Sequence, residues 1–170
     1  MTVFEAIKSR YSCRAYQDRP VEQEKLEKIF EAARQAPSAK NLQDWRFVVV
    51  ADKVRKQQVA DCTNQAKAFG QAGAMIAACS VCKDVMRCGQ KIAPIDVAIA
   101  LEHIALMAAE LGLATCWIGS FDTEKVRGVL EIPENIDIIE LMALGYPADG
   151  KRQTTREPIK NIVCYDKWQF

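Results

Sequence analysis

Apolar positions near the start of the chain recur at helical spacing. A Thr-x-x-Glu capping box at Thr2 predicts a short helix to about Ser9, with Phe4 and Ile7 facing inward. A second helix is predicted over roughly 22–36, because four apolar residues there are three or four positions apart and share one face. These residues are Leu26, Ile29, Phe30 and Ala33. Two helices therefore precede the first strand.

Short apolar runs further along the chain predict buried strands. They cover 47–51, 74–81, 114–118 and 137–144. The last run alternates too little for a one-faced strand, so a central position is expected. Charged, helix-like segments at 53–62 and 123–130 lie between the runs, and 64–73 is predicted as a loop. Helices and strands thus alternate around a central sheet, which indicates a mixed α and β class.

A long apolar helix is predicted from about Pro94 to Leu111. Its polar residues Asp96, His103 and Glu110 recur every seven positions and form one narrow stripe. Together with Glu102, they make the segment too polar for a membrane span. Because the remaining surface is apolar, the helix has to be enclosed nearly all round, and a second subunit is expected to cover part of it. The C-terminal tail ends in apolar residues that also need a partner: Ile162, Val163, Trp168 and Phe170.

Composition narrows the function classes. At 170 residues the chain is expected to form one domain, spanning 1–170. The net charge of +1 gives no general attraction to nucleic acid or acidic membranes. Charged residues within the first ten positions argue against a signal peptide, so we expect a cytoplasmic protein with its seven cysteines reduced.

The usual catalytic motifs are missing from the sequence. It contains no Gly-x-Gly-x-x-Gly, no Walker loop and no Gly-x-Ser-x-Gly elbow. The spacing Cys79-x2-Cys82-x5-Cys88 resembles a metal cluster only superficially, since the sole histidine, His103, lies on the long helix. A disulfide formed on oxidation is a minor alternative for these thiols. If the protein is an enzyme, a bound organic cofactor is expected to carry the reaction.

Two polar stretches are candidate binding elements. Arg10, Ser12 and Arg14 alternate, so in an extended segment they point one way and could hold a phosphate; a solvated basic face is the alternative. Arg152 and Arg156 could add charge if the tail folds back. The second stretch, 36–47, follows the helix that Pro37 ends. Its amide and hydroxyl side chains could hold a planar ligand or could satisfy the loop's own backbone.

Four motifs, in order along nearly the whole chain, resemble those of the nitroreductase family of FMN-dependent oxidoreductases. The first two are Arg-Tyr-Ser-Cys-Arg at 10–14 and Ala-Pro-Ser-Ala-Lys-Asn-Leu-Gln-Asp-Trp at 36–45. The others are Gly-Leu-Ala-Thr-Cys-Trp-Ile-Gly-Ser-Phe at 112–121 and Leu-Gly-Tyr-Pro at 144–147, followed by Arg156 and Pro158. The resemblance implies an α+β fold with a central, mostly antiparallel sheet, in an intertwined homodimer with two FMN molecules at the subunit interface.

The resemblance also implies roles for individual residues. Arg10, Ser12 and Arg14 would hold the FMN phosphate, with Tyr11 beside them and Arg156 closing the site. The other cofactor contacts would come from Pro37, Ser38, Ala39, Asn41, Asn64, Lys67, Ile118, Gly119 and Ser120. Pro37, Ser38 and Ala39 would reach the flavin across the interface, and backbone amides at 118–120 would lie near N5.

The activity implied is a ping-pong reaction. NADH or NADPH would pass hydride to the flavin, and a nitroaromatic, a quinone or a similar acceptor would then take its place. A dehalogenase-type reaction and a flavin storage or sensor protein without turnover are the alternatives. The sequence departs from the family pattern at Asp44, where proline is usual, and at Tyr11, where arginine or histidine is common.

Overall fold

The computed structural model describes residues 1–151 and 154–170, and its centre is a four-stranded sheet. The strands are β1 (Trp45–Val50), β2 (Ala74–Ser80), β3 (Ala114–Ile118) and β4 (Asp137–Gly145). Their order is β1-β2-β4-β3, and the neighbouring strands are antiparallel. The α+β class and the mostly antiparallel sheet are therefore confirmed.

The two middle strands form the most deeply buried part of the sheet. All seven residues of β2 are buried, as are residues 141–145 of β4. Strands buried on both faces lose the alternation of apolar and polar residues. The central position predicted for β4 is confirmed.

Helices cover both faces of the sheet. They are α1 (Val3–Ser9), α2 (Gln23–Arg34), α3 (Lys53–Asp61), α4 (Ala66–Gly70), α5 (Ile92–Glu110) and α6 (Thr123–Leu130). The predicted helices are confirmed with small shifts at their ends, but α4 lies where a loop was predicted. Phe69 is buried and gives this short helix an apolar contact, and Gly70 ends the helix without interrupting it.

The sheet separates two hydrophobic layers. On one face Ile29 of α2 packs with Val97 and Ile104 of α5. On the other face Val59 of α3 packs with Val126 of α6. Each layer buries one face of its helices, and the apolar spacing of α2 specifies which face that is.

Each residue of the three-residue polar stripe on α5 has a partner, and the stripe runs from buried Asp96 through half-buried His103 to exposed Glu110. Ala39 N donates to Asp96 Oδ2 at 2.9 Å, and His103 Nδ1 lies 3.0 Å from the Ala32 carbonyl oxygen. Glu110 accepts from the N-terminal ammonium at 3.1 Å. By length and composition α5 could cross a membrane, but half of it is buried within this fold. Such burial is typical of a core helix.

Large apolar residues of α1 and of the C-terminal tail are exposed in the single chain. Phe4 and Ile7 do not face inward: they are 63% and 47% exposed, and Ala6 is the residue that α1 buries. A small side chain allows α1 to lie close to α5, which turns its larger residues outward. In the tail Trp168 is 82% exposed and stacks edge-on against Phe170. Arg152, also a candidate, lies outside the described residues.

Candidate functional site

The basic segment 10–14 is extended and lies beside β3. Ser12 forms a parallel bridge with Thr115, and Cys13 N donates to the Thr115 carbonyl at 2.9 Å. Cys13 is fully buried, so its neighbours Ser12 and Arg14 face outward. The predicted alternation is present, and β3 fixes the direction in which it points.

Arg10 is held by a carboxylate from another element. Its Nε lies 3.5 Å from Glu102 Oε1 on α5, and this nitrogen is buried without a hydrogen-bond partner among the described residues. Burial raises the pKa of Glu102, while the charges of Arg10 and His103 act to lower it. Glu102 was not predicted from the sequence as a site residue. An acidic residue on a mostly apolar helix was the signal that could have identified it.

Tyr11 is turned toward the tail. Its hydroxyl donates to the Asp149 carbonyl at 3.1 Å. Burial, with a further contribution from Cys13, raises the pKa of Tyr11 to about 12. The Tyr11 side chain is therefore a neutral hydrogen-bonding group within the basic segment.

A cavity of about 200 Å³ opens at the end of β3. It brings together five of the predicted cofactor residues: Arg14, Asn64, Ile118, Gly119 and Ser120. Asn64 Nδ2 donates to Ser120 Oγ at 2.7 Å, which joins the segment before α4 to the end of β3. Guanidinium, amide and hydroxyl groups thus converge beside exposed backbone at Gly119 and Ser120.

Lys67 and Arg156 lie elsewhere in the single chain. Lys67 is exposed on α4 and does not line this cavity. Arg156 lines a separate pocket of about 670 Å³ against α1, where it donates to Thr154 Oγ1 and the Thr155 carbonyl at 2.8 Å. Lys8 and Lys151 line the same pocket and were not identified from the sequence. The pocket is therefore basic, but it is distinct from the cavity at Arg14.

The loop between α2 and β1 has an unusual backbone. Lys40, Asn41 and Gln43 have φ values of 51°, 57° and 49°. This left-handed region costs an L-residue about 1–2 kcal/mol, with asparagine tolerated best. Ser38 offsets the strain, because its carbonyl accepts from Asn41 N at 3.0 Å and its hydroxyl accepts from Gln43 N at 2.9 Å. Ser38 therefore satisfies backbone groups of its own loop, which is the alternative to ligand binding predicted for this stretch.

The same loop is tethered to α5 and β2 through buried acids. Ala39 N donates to Asp96, as described above, and Ser80 Oγ donates to Asp44 Oδ2. Asp44 and Asp96 are 3% and 4% exposed. Pro37 and Asn41 are exposed on the outer side of the loop, and Ser38 and Ala39 are half-buried. Residues 37–41 do not line the cavity at Arg14 of the same chain.

Glu140 is a further acid that sequence reasoning missed. It lies on the central strand β4, and its Oε1 is buried without a partner among the described residues. A Cβ atom at Gly119 would lie 3.4 Å from that oxygen, so the carboxyl group borders the cavity segment. Burial raises the pKa of Glu140. A charged residue inside an apolar strand was the signal that could have identified it.

The three cysteines at 79, 82 and 88 occupy different environments. Cys79 is buried within β2, and burial raises its pKa to about 11. Cys82 is half-buried after the strand, while Cys88 is exposed next to Gly89 in a tight turn. Their shared sequence neighbourhood therefore does not reflect one common site.

Comparison with known proteins agrees with this architecture. The nitroreductase family profile matches residues 7–83 and 53–146. A protein of Archaeoglobus fulgidus, provisionally named NADH dehydrogenase/NAD(P)H nitroreductase, is 36% identical over 149 residues, covering 85% of each chain. The FMN reductase [NAD(P)H] of Bacillus subtilis is 28% identical and covers 92% of this chain and 70% of its own.

A solved structure extends the similarity to the whole fold. The crystal structure of a nitroreductase family protein from Clostridium difficile superposes with a TM-score of 0.89 at 33% identity. The match covers 99% of this chain and all of that one. Sequence motifs, sheet topology and whole-chain similarity therefore agree, and the chain belongs to the nitroreductase family.

Proposed function

We propose that this protein is an FMN-dependent oxidoreductase that uses NADH or NADPH to reduce nitroaromatics, quinones or similar electron-poor acceptors. The observation that carries the proposal is the cavity at the end of β3, where Arg14, Asn64 and Ser120 converge. The name of the Bacillus subtilis relative, FMN reductase [NAD(P)H], supports the same cofactor and reductant.

The chemistry of the cavity fits a flavin. The ring edge of FMN presents carbonyl and ring-nitrogen groups, which need donors such as the Asn64 amide and backbone N–H groups. Gly119 and Ser120 are exposed at the cavity, so their backbone is accessible to a ligand. Arg14 supplies a positive charge for an anionic ligand. This donor set suits a planar hydrogen-bonding ring joined to a phosphate.

We propose that the basic segment holds the phosphate and the β3 end holds the ring. Arg10, Ser12 and Arg14 would bind the phosphate, with Tyr11 packed beside them and Arg156 approaching from the tail. Asn64 and Lys67 would face the polar ring edge, and residues Ile118, Gly119 and Ser120 would contact the ring through their backbone. The positive charge of Lys67 would stabilise negative charge that develops there on reduction.

We propose that the complete site forms only in a homodimer. A cavity of about 200 Å³ is smaller than the ~300–1,000 Å³ typical of ligand sites, which supports a site that a second chain completes. The loop residues Pro37, Ser38, Ala39 and Asn41 lie outside the cavity of their own chain and would reach the flavin of the partner. Exposed apolar residues on α1 and in the tail supply surface for such an interface.

Bound FMN would supply the hydride chemistry, accepting hydride from the nicotinamide and delivering electrons to the acceptor. The chain's own residues would position the ring and limit the space above it. We propose that nucleotide and acceptor use the same space in turn, which gives a ping-pong order. This shared use also explains a sequence without a dinucleotide-binding motif.

Steady-state kinetics with FMN-loaded protein test the proposal. NADH or NADPH oxidation should depend on a nitroaromatic or quinone acceptor, and double-reciprocal plots at several acceptor concentrations should be parallel. Matched assays without acceptor and without protein are the controls. Flavin binding without any acceptor-dependent turnover would contradict the proposal and favour a storage or sensor protein.

A further inference from the structure

Two buried carboxyl groups meet beneath the loop between α2 and β1. Asp44 ends the loop, and Asp96 lies in the second turn of α5. Both residues are more than nine-tenths buried, and the Asp44 carboxyl acts on Asp96 through its charge and a side-chain hydrogen bond, both of which raise the pKa of Asp96. Two ionised carboxylates offer only acceptors, so a hydrogen bond between them requires a proton on one of them.

The contacts around Asp44 satisfy only one of its oxygens. Oδ2 accepts from the hydroxyl of Ser80, which in turn accepts from Cys82 N at 3.0 Å. Oδ1 is buried and has no partner among the described residues. An ionised carboxylate with an unpaired buried oxygen is costly. A proton shared with Asp96 removes that cost.

The charged groups on the elements packed around the pair do not neutralise it. Burial raises the pKa of Asp96, and the charge of Asp44 raises it further. The hydrogen bond from Ala39 N acts in the opposite direction and lowers it. The basic side chains of these elements are engaged elsewhere or exposed. Arg46 donates to the Gln43 and Trp45 carbonyls, Lys83 pairs with Asp137, His103 lies against the Ala32 carbonyl, and Lys40 and Lys91 are exposed.

Both acids are connected to the strained backbone. Asp96 accepts from Ala39 N at the start of the loop, and the Asp44 carbonyl accepts from Val81 N at 3.1 Å at its end. Between these points lie Lys40, Asn41 and Gln43 with positive φ. Electrostatic repulsion between two ionised carboxylates would therefore act directly on the two ends of the loop.

We propose that Asp44 and Asp96 share one proton in the folded protein and that this one-proton pair positions the 38–44 loop for cofactor binding. They are positioning residues, because they act through Ala39 and the loop backbone. The effect on the cofactor rests on the proposed function, whereas the shared proton does not.

The sign of the pH dependence follows from the shared proton. The folded protein keeps a proton that the unfolded chain releases, so the pair's contribution to stability is complete at low pH. That contribution is lost as the pH rises through the raised pKa of Asp96. Loop order and FMN affinity should decrease over the same window.

Carbon-13 NMR of protein labelled at aspartate carboxyl groups tests the shared proton. We expect one carboxyl signal to stay protonated to a higher pH than the other aspartate carboxyl signals. Asp44→Asn and Asp96→Asn should each abolish this late titration, and Asp84→Asn should leave it unchanged. If the aspartates of the wild-type protein titrate together, the proposal is wrong; this result needs no variant to fold.

The positioning role has two readouts of its own. The amide signal of Ala39 should shift with the late titration in the wild-type protein and stay constant in Asp44→Asn. The Kd for FMN should rise by at most about tenfold per pH unit in that window, because one proton is linked, and it should rise less in Asp44→Asn.

An Ala39 signal that does not shift with the titration refutes the positioning role. Absence of FMN binding at every pH refutes the proposed function but leaves the carboxyl and Ala39 results to decide this inference.

Discussion

Arg10 reaches its position through a carboxylate on another element. The ion pair with Glu102 joins the basic segment to α5, so the guanidinium direction depends on tertiary packing. The sequence alone identified Arg10 through its alternation with Ser12 and Arg14. It could not identify Glu102, because a contact across 92 positions leaves no local pattern.

Replacing Arg10 tests the proposed phosphate site. Arg10→Ala should weaken FMN binding by about 1–3 kcal/mol, since a hydrogen bond to a charged group is lost. Fluorescence titration of FMN measures the change. Arg34→Ala is the matched control, because Arg34 is exposed and pairs with Glu31 of its own helix. Equal FMN affinity in the Arg10 variant and the wild-type protein would refute the role.

The thiols should differ strongly in reactivity. Cys88 is exposed, whereas burial holds the pKa of Cys79 at about 11, so little of the Cys79 thiolate forms near neutral pH. A thiol reagent added to native protein should modify Cys88 rapidly and Cys79 only after unfolding. Cys88→Ser should remove a rapid phase. A rapid phase that persists undiminished in Cys88→Ser would contradict the burial pattern.

At the scale of the elements, apolar runs and caps were informative because they depend on local rules. The Thr2 capping box occurs as predicted, and the four apolar runs form the four strands of the sheet, with β2 and β4 in the centre. The inward orientation of Phe4 and Ile7 was wrong because helix periodicity does not show which neighbour a helix meets. The loop backbone at 40–43 was also unforeseen, since its left-handed residues are not glycines.

A pair of glycine substitutions tests the packing of the elements. A Cβ at Gly145 would lie 2.6 Å from Gly73 N, so Gly145→Ala should destabilise the fold by about 1–3 kcal/mol through overpacking. A Cβ at Gly128 in α6 meets open space, and Gly128→Ala should stabilise by about 0.5–1 kcal/mol. Urea unfolding compares the two. Similar effects in both variants would contradict the close contact at Gly145.

At the scale of the whole molecule, the single chain contains only part of the proposed site. The cavity at β3 gathers Arg14, Asn64 and residues 118–120, while the 37–41 loop lies elsewhere. The motifs pointed to both groups of residues, and the family resemblance rather than residue spacing suggested that they meet across subunits. A sequence pattern describes one chain, so it does not show which surfaces of two subunits come into contact.

The assembly itself gives a direct prediction. Exposed apolar residues including Phe4, Ile95 and Trp168 should be covered in a homodimer at micromolar concentration. Sedimentation analysis measures the mass with and without FMN. A folded monomer under both conditions would contradict a site shared between subunits, even if the monomer bound flavin weakly.

The absorbance spectrum of the purified protein, titrated anaerobically with NADH and NADPH, tests the central claim most directly. The protein should carry or take up FMN, and one or both nucleotides should bleach the flavin band. A nitroaromatic or quinone acceptor should then restore it. A bound flavin that neither nucleotide bleaches, or a protein that does not bind added FMN, would contradict the account.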